Sequence, residues 1–239
     1  MKKRILYNIL NEWRDDDMDD SPIDLDDDMN IEPISSDMDN EPNLDDDDFA
    51  LSTTQETSYE YFPETKEELK EIVRMEIKKQ GGVNVNLNMI DTSKITDMNG
   101  MFNSCTSLRS LDVSEWDVSN VKDMYCMFSD CESLETLDVS GWDVSNVKDM
   151  KYMFFSCTSL KSLDVRGWDV SNVKYMNGMF NECTSLQTLD VSGWDVSNVK
   201  YMNGMFFGCT LLDTDTTMWK IRTNNIDNMY YNAPHIKHN

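Results

Sequence analysis

The sequence contains no long apolar run, and this absence argues against a transmembrane helix. No window approaches the roughly 18 consecutive apolar residues that a membrane-spanning helix requires. The basic start at residues 1–10 is followed by an apolar stretch that Tyr7 and Asn8 interrupt, and no small-residue cleavage site comes after it. The first cysteine, Cys105, is too far along the chain for lipid attachment. We therefore expect no signal peptide, no lipid anchor and no membrane insertion.

Positive charge is scarce as well. The 239 residues carry 21 Lys and Arg against 45 Asp and Glu, which gives a formal net charge of −24. Nucleic acids and anionic lipid surfaces are bound through Lys and Arg that neutralise phosphates. We therefore expect neither class of partner.

The acidic residues are concentrated at the start of the chain. Residues 1–60 hold 20 acidic and only 4 basic side chains, with runs such as residues 15–17 and 45–48. Low hydrophobicity combined with like charge cannot bury enough surface to offset chain entropy, so this composition predicts a largely disordered acidic arm. Loose calcium binding is the functional alternative, but no Asp-x-Asp-x-Asp-Gly loop ending in Glu is present to form a coordination sphere.

The residue types that carry catalysis are few and unfavourably placed. The only two histidines, His235 and His238, lie in the tail, no glycine-rich phosphate loop is present, and no cysteine belongs to a CxxC pair. The recurring aspartates come in equal copies, whereas a catalytic pair needs two carboxylates in different environments. We therefore expect no enzyme, no cofactor and no metal site.

The chain is instead dominated by a 26-residue repeat. Four near-identical copies fill residues 107–210 without an insertion, each close to SLxSLDVSGWDVSNVKxMxxMFxxCT. Residues 83–106 are a divergent first copy. Residues 211–239, with Trp219, Ile221, Ile226 and Met229, resemble a degenerate final copy. A fixed period of this length is typical of a solenoid, in which each unit buries its apolar face only by stacking on its neighbours.

An amphipathic helix precedes the repeats and is predicted to cover their open end. Thr65 followed by Glu68 forms a capping box, and Gly81 and Gly82 end the helical pattern. Apolar residues recur between them at helical spacing: Leu69, Ile72, Val73 and Ile77. The predicted organisation is therefore an acidic arm (1–60), a capping helix (61–82), repeats (83–210) and a degenerate capping coil with a tail (211–239).

Within one repeat, the pattern predicts a short parallel strand followed by a short helical segment. Leu108, Leu111 and Val113 fit the LxxLxL frame of a leucine-rich repeat. Ser119 is a suitable N-cap for a helical segment that ends at Asp130. The fold class is therefore an α/β repeat solenoid.

Residues that recur at one position lie above themselves in successive coils. The tryptophans 116, 142, 168 and 194 are better explained as a core column than as a ligand platform. The cysteines 105, 131, 157, 183 and 209 form a second column, and we interpret them as buried free thiols because five in a row cannot all pair. Cys126 stands apart: its counterparts are Tyr152, Gly178 and Gly204, and this variability predicts exposure and reactivity.

The outward positions of the predicted strands form a polar ribbon, which is the candidate protein-contact face. Its members are Ser110, Asp112, Ser114, Thr136, Asp138, Ser140, Ser162, Asp164, Arg166, Thr188, Asp190 and Ser192. A more variable band comprises two further sets of equivalent positions: Arg109, Glu135, Lys161 and Gln187, and Tyr125, Lys151, Asn177 and Asn203. Stacked like charges are unfavourable unless they are solvated or paired with a partner. Neutral drift on a solvated surface is the alternative explanation of the variable band.

The unit LDVSxWDVSNVKxMxxMFxxC resembles the repeats of BspA-like leucine-rich repeat surface proteins, and of related bacterial lipoprotein repeats of unknown function. The segments PETKEELKEIV (63–73) and DTSKITDMNGMF (91–102) are similar to the entry of such arrays, so the resemblance covers about residues 61–230. It implies a right-handed solenoid displayed at a cell surface and used in adhesion or other protein binding.

Two functions follow as hypotheses. The first is a non-enzymatic, monomeric protein-binding module, with a partner of unknown identity on the polar ribbon. The second is a passive structural spacer, or an intracellular or phage-encoded scaffold component, in which the acidic arm keeps particles apart. The sequence leaves the compartment open.

Overall fold

The computed structural model describes residues 59–239. Of the predicted acidic arm (1–60), with its calcium-binding alternative, residues 1–58 lie outside the described residues. The regular elements are one helix and five short strands: α1 (Lys66–Lys79), β1 (Asn84–Asn86), β2 (Ser110–Asp112), β3 (Thr136–Asp138), β4 (Thr214–Asp215) and β5 (Ile236–Lys237). No helix within this range is both long and apolar enough to cross a membrane.

The repeats stack as parallel coils in register. Strands β1, β2 and β3 form one parallel sheet in that order, and Leu111 pairs with Leu137, its equivalent one repeat later. In the later coils, single bridges join Ser162 to Thr188 and Thr188 to Asp213. Strands β4 and β5 pair in parallel in the last coil. A coil therefore contributes between one and three paired residues to this side of the stack.

A second parallel ladder joins the coils, and it replaces the helical segment that the sequence predicts. Its bridges connect Asp97, Asp123, Asp149, Tyr175 and Tyr201. Beyond each bridge, every second backbone N–H donates to a carbonyl of the next coil. The N–H groups between them donate to the carbonyl three residues earlier in their own coil and so form turns. The prediction of a helix from residue 119 to residue 130 is therefore wrong, and α1 is the only helix of residues 59–239.

The physical reason lies in the backbone angles of this segment. Cys126 and Asp130 have φ of 52° and 59°, and the equivalent residues of every other coil are also in the left-handed region. A right-handed helix requires negative φ throughout. Ser119 is not an N-cap: its N–H donates to Asp117 Oδ1 at 2.9 Å and its carbonyl accepts from Asn146 Nδ2 at 2.8 Å. Hydrogen bonds between coils thus fix a turn conformation in this segment, although the spacing of its apolar residues also fits a helix.

Columns of identical side chains form the core. The phenylalanine rings from Phe102 to Phe206 stack with centroids 5.2–5.8 Å apart. The tryptophans are buried, and Trp168 Nε1 donates to the carbonyl of Val139 at 3.0 Å, a bond that recurs in the other coils. The predicted core column of tryptophans is confirmed. Burying each such side chain contributes about 1.5–3 kcal/mol.

The cysteine column lies in the same core, and its thiols are free. Four of the five members have no exposed surface, and Cys105 is half-buried. Cys131, Cys157, Cys183 and Cys209 each donate from Sγ to a phenylalanine carbonyl of the preceding coil at 3.0–3.2 Å. Burial raises the pKa of the Cys157 thiol to about 12. The interpretation as buried free thiols is confirmed for the four cysteines from Cys131 to Cys209, whereas Cys105 is free but only half-buried.

Helix α1 lies on the first coil through Leu69, Ile72 and Val73, which are buried. Thr65 Oγ1 accepts from the N–H of Glu68 at 3.2 Å, but the Glu68 carboxylate accepts from Glu64 N rather than from the N–H of Thr65, as a capping box would require. The N-terminus of the helix is therefore capped from one side only.

The described residues at the other end of the stack form an irregular coil. Trp219 and Met229 are buried, whereas Ile221 is half-exposed and Ile226 is 39% exposed, so two of the four apolar residues in the degenerate repeat stay outside the core. Tyr230 takes the place of the missing phenylalanine and stacks on Phe206 with ring centroids 6.2 Å apart. The aromatic column therefore continues into the last coil.

Candidate functional site

The twelve residues of the predicted contact face lie together on one surface of the stack, which we call the strand face. Those of the 107–132 coil are half-exposed, and those of the three following coils are exposed. The intervening positions, such as Leu111 and Val113, point into the core. Because the coils pair in register, equivalent side chains repeat along the face at about 4.8 Å.

The aspartates of the strand face are held by their own coils. Asp138 Oδ1 accepts from the N–H of Ser140 at 3.0 Å and from its hydroxyl at 2.7 Å, and Asp190 and Ser192 repeat this arrangement. Hydrogen bonds from Ser192 lower the pKa of Asp190. The hydrogen bonds from Ser140 and Ser192 therefore hold the Asp138 and Asp190 carboxylates in one direction.

Asp164 is the exception because its coil carries arginine in place of serine. Arg166 donates from Nε and Nη2 to the two oxygens of Asp164 at 3.0 and 2.8 Å. The hydrogen bond from the Arg166 side chain, the backbone N–H and the guanidinium charge lower the pKa of Asp164 to about 2. In this coil the Arg166 guanidinium compensates the charge of Asp164, so the column of aspartates on the strand face is not uniformly acidic.

The sequence analysis missed part of this surface. Asn86 and Asn88, in the divergent first coil, donate from Nδ2 to the two oxygens of Asp112 at 2.8 Å each. Burial raises the pKa of Asp112, but hydrogen bonds from Ser114 and Asn88 outweigh it, and the pKa falls below its usual value. The alternation of polar and apolar residues in VNVNLN (83–88) was a signal that could have extended the strand face by one coil.

An open depression of about 360 Å³ lies on the strand face across three coils. Side chains from residues 110–112, 135–138 and 162 line it, so it brings together five of the predicted contact residues: Ser110, Asp112, Thr136, Asp138 and Ser162. Glu135 stands at its rim between Arg109 and Lys161, at 3.1 and 3.5 Å. The strand face therefore has a concave centre with anionic walls and cations on one edge.

The remaining candidate positions lie elsewhere. Tyr125 and Lys151 belong to the turns of the second ladder and are half-exposed there. Cys126 is half-buried, and burial raises the pKa of its thiol, so the prediction of an exposed, reactive cysteine is wrong. Its position varies for a backbone reason: three other coils place glycine there because φ is positive.

We also searched residues 59–239 for clusters of side chains that could bind a metal ion. Within residues 59–239, no three His, Cys, Asp or Glu side chains are close enough to hold one ion. The arrangement on the strand face offers hydrogen-bond acceptors and negative charge over an area spanning several coils.

Parallel coils in register, four of which carry the LxxLxL frame, define a leucine-rich-repeat-like repeat protein. The family described as "Mycoplasma protein of unknown function, DUF285" matches residues 72–164 and 137–239, and the chain belongs to this family.

Two solved structures are similar over part of the chain. The leucine-rich repeat protein of T. pallidum is 19% identical, with a TM-score of 0.40, over 56% of this chain and 58% of that one. The structure described as the TLR13–ssRNA13 complex is 11% identical, with a TM-score of 0.22, over 73% of this chain and 37% of that one. The chain thus spans less than two thirds of either. Among curated proteins, none matches the sequence.

Proposed function

We propose that this chain is a non-enzymatic, monomeric protein-binding module, a BspA-like right-handed solenoid whose contact surface is the strand face. The observation that carries the proposal is the depression across three coils, in which half-exposed and exposed polar side chains surround Leu111 and Leu137. A surface of this kind offers many shallow polar contacts and suits a partner with complementary hydrogen-bond donors.

Preorganisation of the strand face supports a binding role. A side chain that is already held in one direction loses little conformational entropy when a partner binds. Ser140 and Ser192 hold Asp138 and Asp190 through bonds of 2.7 Å, and Arg166 holds Asp164. The acceptors of the strand face are therefore fixed before any partner arrives.

The sharpest test uses a photo-crosslinking amino acid at two matched positions of one coil. Replacing Thr136 places the probe on the strand face, and replacing Lys148 places it at an exposed position of the second ladder. In native host cells we expect the Thr136 probe to capture a defined protein that the Lys148 probe does not capture.

Charge reversal then decides whether the strand face itself makes the contact. The double variant Asp138→Lys and Asp164→Lys should abolish the crosslink formed at residue 136, because it replaces acceptors by donors and reverses their charge. A crosslink of unchanged yield would show that the strand face is the wrong surface. A passive spacer predicts no specific crosslink from either probe.

The resemblance to BspA-like proteins extends the proposal to adhesion at a cell surface. Protease treatment of intact host cells, followed by mass spectrometry of peptides from residues 107–210, tests this extension. Release of these peptides supports surface display. Full protection until the cells are lysed contradicts adhesion and favours an intracellular scaffold.

A further inference from the structure

A lysine recurs at one outward position of every full repeat, directly before the second ladder. We call these residues the lysine column: Lys122, Lys148, Lys174 and Lys200. The backbone N–H of each later member donates to the carbonyl of the member one coil earlier, at 2.8–2.9 Å. Equivalent backbone atoms therefore repeat at about 4.8 Å, and the column is about 14 Å long. Lys174 is half-exposed and the other three lysines are exposed.

The lysine column differs from the other cations of the repeats because it has no counter-charge. Residues 107–210 hold eight Lys and Arg. The four outside the column each lie 2.8–3.5 Å from a carboxylate oxygen, and they are Arg109, Lys151, Lys161 and Arg166. No lysine of the column forms an ion pair with any residue of the range 59–239. The repeats therefore compensate every cation except those that recur in all four copies.

An aspartate follows the lysine in the first two full coils, but it is engaged elsewhere. Asp149 pairs with Lys151 at 3.0 Å rather than with Lys148. Asp123 accepts from the N–H of Tyr125 at 2.8 Å, and within the described residues it forms no ion pair. Neither carboxylate therefore neutralises the lysine column.

The later coils carry no carboxylate next to the lysine column. Tyr175 follows Lys174 and Tyr201 follows Lys200, and the two phenol rings stack with centroids 5.6 Å apart. Two residues before each lysine of the column, all four coils hold a neutral asparagine. The neighbouring positions in the later coils therefore leave the positive charge of the column uncompensated.

A row of like charges held in register is unfavourable unless a partner compensates it. We propose that the lysine column binds an acidic, extended segment of a partner protein, with the carboxylates of the segment along the row. A linear partner fits because the column is one side chain wide. Carboxylates on one face of an extended chain are about 6.6–6.8 Å apart, and the flexible four-carbon stems of lysine can adjust to this spacing.

A protein segment suits this surface better than a nucleic acid. Acidic residues outnumber basic ones over residues 59–239, so a long polyanion that runs past the ends of the column would be repelled. A protein segment can confine its negative charge to the length of four lysines. Because the lysine column is not part of the strand face, failure of this inference leaves the proposed function untouched. The photo-crosslinker at Lys148 should capture an acidic protein other than the one captured at Thr136.

The direct test measures fluorescence anisotropy of the peptide fluorescein-Gly-Asp-Gly-Asp-Gly-Asp-Gly-Asp-amide as the full chain is added. We expect saturable binding at low ionic strength that weakens as salt is added. The double variant Lys148→Gln and Lys174→Gln should weaken this binding by about two- to thirtyfold, the range for the loss of two exposed ion pairs. Arginine at the same two positions should retain the binding.

A second double variant separates the lysine column from the overall charge of the chain. Lys151→Gln with Lys161→Gln removes the same charge, but from two lysines that already pair with carboxylates, and should weaken binding by less than about twofold. The proposal is overturned if the two double variants weaken binding equally, if the peptide shows no saturable binding, or if an oligodeoxythymidylate of equal charge binds more tightly than the peptide.

Discussion

The contact between Gly178 and Tyr152 gives a quantitative test of how the coils pack. Gly178 has φ of 57°, and a Cβ atom added to it would lie 2.5 Å from two ring carbons of Tyr152 in the preceding coil. Gly204 is the matched position one coil later, with φ of 61°, and its nearest neighbour would be Asn181 Nδ2 at 3.4 Å. Alanine at the two sites therefore meets the same backbone strain, but a steric overlap arises only at residue 178.

The expected costs follow from these two terms. Placing alanine in the left-handed region costs about 1–2 kcal/mol. Alanine also lowers the conformational entropy of the unfolded chain relative to glycine, which offsets roughly 0.4–1 kcal/mol of that cost. Gly204→Ala should therefore destabilise the stack by about 1 kcal/mol. Gly178→Ala should cost about 1 kcal/mol more, at the low end for overpacking, because the exposed Tyr152 ring can turn aside.

Urea unfolding followed by tryptophan fluorescence measures these differences, since the tryptophan column is buried. Tyr152→Gly removes the ring, so the excess cost of Gly178→Ala over Gly204→Ala should vanish in that background. Equal costs at the two glycines in the original chain, or an excess that persists without the Tyr152 ring, would refute the packing argument.

Three further outcomes are expected. Glu76 is buried, and burial by itself raises the pKa of its carboxyl group. Hydrogen bonds from Lys79, Tyr61 and Gln80 outweigh this effect, so the pKa lies below 4.5. The ionised Glu76 carboxylate therefore stabilises the fold above about pH 4.5, and this stabilisation is lost as the pH falls through the folded-state pKa. The urea midpoints of the original chain and of Glu76→Gln should therefore converge in acid. Trp168→Phe loses a hydrogen bond and part of a buried ring, and should cost about 2 kcal/mol in urea unfolding. In maleimide labelling of the native protein, Cys126 should react faster than Cys157, which has no exposed surface.

Each of these expectations has a control. Glu71→Gln removes a carboxylate from an exposed ion pair of the same helix and should leave the acid dependence of the midpoint unchanged. A Trp168→Phe chain as stable as the original would mean that the indole bond to Val139 contributes nothing. Labelling of Cys157 at the rate of Cys126 would show that the coils open readily.

The sequence was sufficient to predict the stacking and the core. Position-specific repetition marks the buried residues directly, because a side chain that stacks on its own copy must suit that position in every coil. Trp116, Phe128 and Cys131 are examples, and all three are buried. The strand face could be predicted in the same way, from the alternation of Ser110 and Asp112 with apolar neighbours.

The prediction of a helix in each coil failed because the spacing of the apolar residues fits both a helix and a series of turns. Met124, Met127, Phe128 and Cys131 follow helical intervals, yet consecutive turns place the same residues in the core. The signal that could have decided the case was the Asn-Gly pair at residues 177–178 and again at 203–204, which is typical of turns with positive φ. The stacking of Tyr175 on Tyr201 could not be predicted, because nothing in the sequence identified that position as a second ladder.

In-register pairing also determines how the length of this protein can change. Each full coil meets its neighbours through side chains that the neighbours themselves carry, such as phenylalanine on phenylalanine and asparagine on the carbonyl of the preceding coil. Removing or duplicating one 26-residue unit between positions 107 and 210 therefore joins surfaces that are already complementary. The number of coils is thus a quantity that recombination between the repeats can alter in single steps, lengthening or shortening the strand face without a new fold.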